Sequence, residues 1–319
     1  MKEGEQRALI KKIYLLIERN ELPLPTLPHV ATRIHDLLDN PNVSAQQVVS
    51  VISSDPVVSA HIIRSANSAA FTGQPPVKSV HAAVKRMGYR QLRNVAMTAT
   101  MSELLQAKSA IVQQQLQEYW QHSRHVAAVS YVLALHQKHL NPDQALMAGL
   151  IHNIGIIPLC LSIDSLVPTL DWESIKTVLH KFRVPIGIKL LRSWNFSDDM
   201  VNIITDHEDL HRKSTLEPLA DYADVVMVAN MQDRISAKIA AWHNVAAVKR
   251  LGMTPADCRN FLERFAGQLA IIYDMLGISE PLGQQMPDTV ILPPVRPESR
   301  TTLQKKKKET IPSFLKRIY

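Results

Sequence analysis

The chain has 319 residues, 46% of them apolar, which is enough for one large domain or two modest ones. Its two cysteines, Cys160 and Cys258, have no CxxC spacing, so neither a disulfide framework nor a thiolate zinc site is supported, and both are expected as buried free thiols. The net charge of +7 is uneven: residues 281–319 carry eight basic against three acidic residues, and the rest carries 28 against 26, a net of +2. A basic tail on a near-neutral body gives no reason to read the body as a nucleic-acid binder.

Residues 5–20 open the chain with Leu9, Ile13, Leu16 and Ile17 at helical spacing. The start lacks the apolar core of a signal peptide, and no run of about 18 or more apolar residues is read, so a cytoplasmic chain is the simplest expectation. Leu22-Pro-Leu-Pro-Thr-Leu-Pro28 breaks the first helix, because closely spaced prolines favour extended backbone. Val30, Ile34, Leu37 and Leu38 then form one helical face, ending near Asn40-Pro41. Ser44 with Gln47 predicts a capping box, and Asp55-Pro56 an N-cap followed by proline at the first helical position. Ser79 caps a segment striped by Val80, Ala83, Val84 and Met87, which Gly88 stops. Two long helices follow, at about 89–107 and 110–139, and Asn141-Pro142-Asp143 starts the helix that runs toward His152. Further helices are predicted at 171–182, 185–194, 198–207, 215–231, 233–250 and 255–275. No alternating strand pattern of convincing length occurs, so the fold class is all-α. Six prolines and the Lys305–Lys308 run set off 281–319 as a disordered, Pro-rich basic tail.

Several segments recur in a recognisable order. They are Leu24-Pro-Thr-Leu-Pro28, Asp55-Pro-Val-Val-Ser-Ala-His-Ile-Ile-Arg-Ser-Ala-Asn-Ser68, Ser79-Val-His-Ala-Ala-Val-Lys-Arg-Met-Gly88 and Leu92-Arg-Asn94. Trp120-Gln-His-Ser123, Ala148-Gly-Leu-Ile-His152, Gly187, Trp194 and Ala223-Asp224 continue the series. Over residues 20–232 the chain resembles the HDOD family, bacterial signalling relatives of HD-type metal phosphohydrolases. The resemblance implies a compact helical module, many of whose members lack the full metal set and act through protein contacts. The expected organisation is an N-terminal helix at 1–19, an HDOD domain at 20–232 with a degenerate HD-like half, a helical extension at 233–280 and the tail at 281–319.

The positions matching the family's metal ligands are His122, His152, Asn153 and Asp224. HD-type chemistry needs neutral imidazoles and carboxylates converging on a divalent cation. Asn153 supplies only a neutral carbonyl where a bridging carboxylate would stand. Two imidazoles and one carboxylate remain, so a single divalent metal is conceivable and a two-metal centre is not favoured. The alternative is a buried hydrogen-bonded cluster joining four helices. His125, three residues after His122, reads as a polar core or surface pair, and His207 in Asp206-His-Glu-Asp209 as a solvated helix end. Arg183, four residues before Gly187, stands where the family often has another histidine and reads by default as a surface arginine. Asp55 has a sufficient role as an N-cap, and Asn67 as a helix end that bonds backbone.

No GxxxxGK[ST], GxGxxG or GxSxG occurs. The favoured function is a non-catalytic bacterial signal-transduction module acting through protein–protein contacts, without a cofactor. The alternative is a metal-dependent phosphohydrolase acting on a nucleotide or cyclic dinucleotide. Lys305–Lys308, with Phe314, Leu315, Ile318 and Tyr319, suits an acidic protein or an anionic membrane better than nucleic acid, since no interleaved aromatic platform is present.

Overall fold

The computed structural model describes residues 3–26, 28–40, 42–71, 75–166, 172–232 and 242–278. The basic tail and the first part of the 233–280 extension lie outside these residues. Among the described residues every regular element is helical, as the sequence predicts.

Five helices build the first half: α1 (Glu3–Glu18), α2 (His29–Asp39), α3 (Ala45–Ser53), α4 (Pro56–Ala66) and α5 (Val80–Glu103). Their starts follow the predicted chemistry. Ser44 and Gln47 form a reciprocal capping box on α3. Asp55 accepts from the Val57 and Val58 N–H groups on α4, with Pro56 at the first helical position. Asn67 ends α4 and exchanges hydrogen bonds with the Val77 backbone at 2.9 and 2.8 Å. At Gly88, φ is 71° and ψ is 167°, outside helical geometry, so the predicted stop stands: α5 is two helical stretches that meet at a kink there.

The second half contains α6 (Ala110–Leu135), α7 (Pro142–Ile151), α8 (Ile156–Leu166), α9 (Trp172–Ser193), α10 (Asp198–Asp206) and α11 (Tyr222–Gln232). The α6–α7 pair forms the most extensive helix contact, and α11 packs on both. The stretch Pro142–Leu166 holds no unbroken apolar run of about 18 residues, yet on average it is apolar and long enough to cross a bilayer; 89% of its most apolar part is buried in the fold. The two helices predicted at 171–182 and 185–194 are one, α9, running through Pro185. The segment 255–275 is not one helix but three: α13 (Pro255–Arg259), α14 (Phe261–Arg264) and α15 (Ala266–Met275), preceded by the short α12 (Ala246–Arg250). Cys160 and Cys258 are free and buried.

One hydrophobic cluster runs from Ile13 through both halves to Leu276. Trp194 donates its indole N–H to the Pro25 carbonyl at 3.0 Å, tying the Pro-rich segment to the end of α9. The C-terminal helices close over the other side, with Ser65 donating to the Met275 carbonyl at 3.0 Å and Arg124 to the Gly277 carbonyl at 3.0 Å.

Candidate functional site

His152 caps the C-terminal end of α7, a helix buried on every side. Asn141 accepts from the Asp143 N–H at its start. Near its end, Gly149 lies against the α6 backbone: a Cβ there would sit 2.5 Å from the Ala127 Cα. That approach brings His152 to His122 on α6, with their Nε2 atoms 3.2 Å apart and ring centroids 5.2 Å apart. The His152 Nδ1 lies 2.7 Å from the Gly149 carbonyl, which assigns the proton to Nδ1 and leaves Nε2 as the acceptor for His122.

A third imidazole joins them. His207, at the end of α10, stands edge-on to His152 with centroids 5.1 Å apart. Its Nδ1 donates to the Ile203 carbonyl at 2.8 Å, and its Nε2 is buried without a hydrogen-bond partner, 3.8 Å from Glu208 Oε1. The expected solvated helix end is therefore a core position. Burial holds the His152 pKa well below its ordinary 6.5, and the neighbouring His207, His122 and Arg183 add to the shift. Burial also lowers the His207 pKa, so both rings are neutral at physiological pH.

Arg183 also departs from expectation. It is 2% exposed, not a surface residue. Its guanidinium pairs with Glu208 and donates to the His180 carbonyl at 3.1 Å. The pair satisfies both charges inside the fold, as a buried ion must be. His125 is a core residue, with Nδ1 2.8 Å from the Tyr273 hydroxyl on α15.

Asp224, on α11, is fully buried and lies in a different polar cluster. Its Oδ1 accepts from Arg212 at 2.8 Å and from Arg250, and its Oδ2 accepts from Arg250 Nε at 2.8 Å. Arg212 also forks onto Asp221 at 2.8 and 2.7 Å. Burial opposes ionisation of Asp221, but the Arg212 hydrogen bond and charge win and hold its carboxyl well below the usual carboxylate range. Asn153 is half-buried in the turn between α7 and α8, where its carbonyl accepts from the Ile156 N–H at 3.1 Å.

The four sequence-predicted ligands therefore do not form one cluster. His122 and His152 meet, His207 completes their group, and Asp224 is clasped by arginines. Among the described residues no three His, Cys, Asp or Glu side chains are placed to hold one metal ion. This donor set does not fit the three-ligand metal centre that the sequence left conceivable.

The HDOD domain family profile matches residues 24–210. An uncharacterized protein of Treponema pallidum is 25% identical over 227 residues, covering 66% of this chain, which spans only 42% of that relative's length. Among solved structures, a Shewanella amazonensis protein provisionally named a metal-dependent phosphohydrolase is 26% identical with a TM-score of 0.72, covering 87% of this chain and all of that one. An HDOD domain protein of unknown function from Geobacter sulfurreducens has a TM-score of 0.60 at 18% identity, over 86% of this chain and 99% of its own, a likeness of fold.

Proposed function

The chain belongs to the HDOD family, and from that premise we propose that it is a non-catalytic signal-transduction module of bacterial type, working through protein–protein contacts. The observation that carries this reading is the occupation of Asp224. Arg212 and Arg250 donate to both of its oxygens, so two guanidiniums stand where a catalytic cation would need that carboxylate. Asn153 and Arg183 support the same reading. One removes a negative charge from the ligand set, and the other puts a side chain that cannot ligate a metal where the family often has a histidine. In this account the three imidazoles join helices α6, α7 and α10, and regulation works through surfaces that those helices hold in place. The Lys305–Lys308 run would add the electrostatic part of a contact with an acidic protein or an anionic membrane.

A second reading, a metal-dependent phosphohydrolase acting on a nucleotide or cyclic dinucleotide, draws on the His122–His152 pair. Their 3.2 Å Nε2 separation is close to that of two nitrogens sharing one metal. Hydrolysis of bis(p-nitrophenyl) phosphate with added Mn²⁺ separates the two. The regulatory reading expects no turnover above that of His152→Ala. Turnover that His152→Ala abolishes would establish the hydrolase instead.

A further inference from the structure

The near-zero charge of residues 1–280 hides an uneven distribution. From Pro56 to Ser102 the chain holds six Lys/Arg and no Asp or Glu, so the remainder of 1–280 is acidic, with 22 basic against 26 acidic residues. The six are Arg64, Lys78, Lys85, Arg86, Arg90 and Arg93, on α4, on α5 and just before α5. Arg93 has partners of its own, and Arg90 lies close enough to Asp143 to oppose the rise of its pKa, so neither counts as spare charge.

The other four gather where α4 ends and α5 begins. Asn67 closes α4 and bonds the Val77 backbone, which draws the two helices together there. Arg64 precedes Asn67 by about one helical turn, and Lys78 follows Val77 directly. Arg86 donates to the Ala66 carbonyl at 3.1 Å, to Asn67 Oδ1 at 3.3 Å and to the Pro75 carbonyl, and Lys85 is its neighbour. Arg64, Lys78 and Lys85 are exposed. Among the described residues none of the four pairs with a carboxylate: Arg86 bonds neutral oxygens, and Arg64 donates to His61 Nδ1 at 2.6 Å. The carbonyl end of α4 favours a cation nearby, but its partial charge does not balance four. The acidic group closest to this junction by its bonds is Asp274 on α15, whose Oδ2 accepts from the Ala69 N–H. Asp55 and Glu103 stand beside each other at the first end of α4 and the last of α5. Arg124 on α6 adds a further positive charge, bonded to the Leu276 and Gly277 carbonyls. His61 registers this field: burial first, then Arg64 and Arg124, lower its pKa to about 4.

We infer that the junction of α4 and α5, with Arg64, Lys78, Lys85 and Arg86 around Asn67, docks an acidic segment of a partner protein. Its chemistry favours protein over the other polyanions. Single-stranded nucleic acid needs a platform for stacked bases, and Tyr89, the exposed aromatic of this stretch, lies beyond the Gly88 kink. An anionic bilayer needs apolar side chains beside the cations, and Val57, the exposed aliphatic here, is at the opposite end of α4. Cations held by packed helices steer an acidic partner and fix its register. The inference rests on the protein-contact reading above for its class of partner, and adds the surface where the contact is made.

Fluorescence anisotropy on the full chain tests it, with a labelled oligoglutamate peptide, an oligothymidylate of equal charge and phosphatidylserine vesicles as probes. The peptide is expected to bind at about 0.15 M ionic strength, more weakly as salt rises, and more tightly than the other two. Arg64→Glu, Lys78→Glu and Lys85→Glu together are expected to weaken peptide binding at least tenfold, with an unchanged circular dichroism spectrum. Should the triple variant misfold, Lys78→Glu with Lys85→Glu, both at exposed positions, is expected to weaken binding at least threefold. Replacing Lys305 through Lys308 by serine controls for the basic tail and is expected to change affinity less than threefold. Three results would overturn the inference: no peptide binding, tighter binding of the oligothymidylate or the vesicles, or a loss that follows the tail lysines and not the face. Each of these leaves the non-catalytic reading standing, whereas phosphodiester turnover abolished by His152→Ala removes that reading and leaves the charged face untouched.

Discussion

Asp224 is a fully buried carboxylate, and it accepts hydrogen bonds from two arginines that approach from different parts of the chain. Removing one partner from such a pair leaves charge uncompensated, typically at about 3–5 kcal/mol. Arg250→Ala is therefore expected to destabilise the fold by about 3 kcal/mol, read as a lower urea midpoint with unchanged slope. His61 gives a second test. Burial, then Arg64 and Arg124, lower its pKa from 6.5 to about 4. Between those values the unfolded chain binds more protons than the folded one, so stability falls as pH drops from 6.5 toward 4, and His61 has no effect above that window. His61→Gln is expected to flatten this acid loss in urea titrations across the window, and an unchanged slope would show that other groups cause it. The meeting of His122 and His152 was legible because both sit in distinctive local patterns, whereas Asn153, read beside them, makes a backbone bond in the α7–α8 turn. The sequence did not reveal Arg250, whose partner is set by tertiary approach, nor the burial of His207. The acidic neighbours Glu208 and Asp209 suggested solvent, but Arg183 neutralises Glu208 inside the fold.

Helix placement depends on two close backbone approaches. Gly149 admits α6 against α7, and Gly155 admits α9 at the start of α8. A Cβ on Gly155 would lie 2.0 Å from the Arg183 carbonyl oxygen and 2.6 Å from the Gly187 nitrogen, both backbone atoms that cannot swing aside. Gly155→Ala is expected to cost about 3 kcal/mol or more through overpacking. Gly267 is the contrast: it lies within α15, and an added Cβ meets nothing within 4 Å. Gly267→Ala is expected to stabilise by about 0.5–1 kcal/mol. Thermal melts of the two variants should move in opposite directions, and a shift in the same direction would contradict this packing. Elements with capping signals, such as α3, α4 and α7, were legible because the cap is a local hydrogen bond. The joining of 171–182 and 185–194 was not, because whether Pro185 ends a helix or only interrupts one N–H bond depends on the neighbouring helices. The breaks at Asn260 and Phe265 likewise carry no glycine or proline to mark them.

At the scale of the whole molecule the two halves share one core, and the C-terminal helices are part of it. Tyr273 meets His125, Arg124 reaches the Gly277 carbonyl, and Arg250 reaches Asp224. The expectation of an all-helical HDOD module could be read from the order of short segments along the chain. The way residues 242–278 complete its polar interior could not, because those contacts join positions up to 210 residues apart. On the proposed regulatory reading, the chain's own arginines and hydrogen bonds satisfy the inherited polar positions in place of a metal. The most direct measurement is metal content per chain, by elemental analysis of full-length protein purified without chelator or affinity metal. Essentially no transition metal is expected. Close to one tightly held metal per chain, lost in His152→Ala, would contradict it.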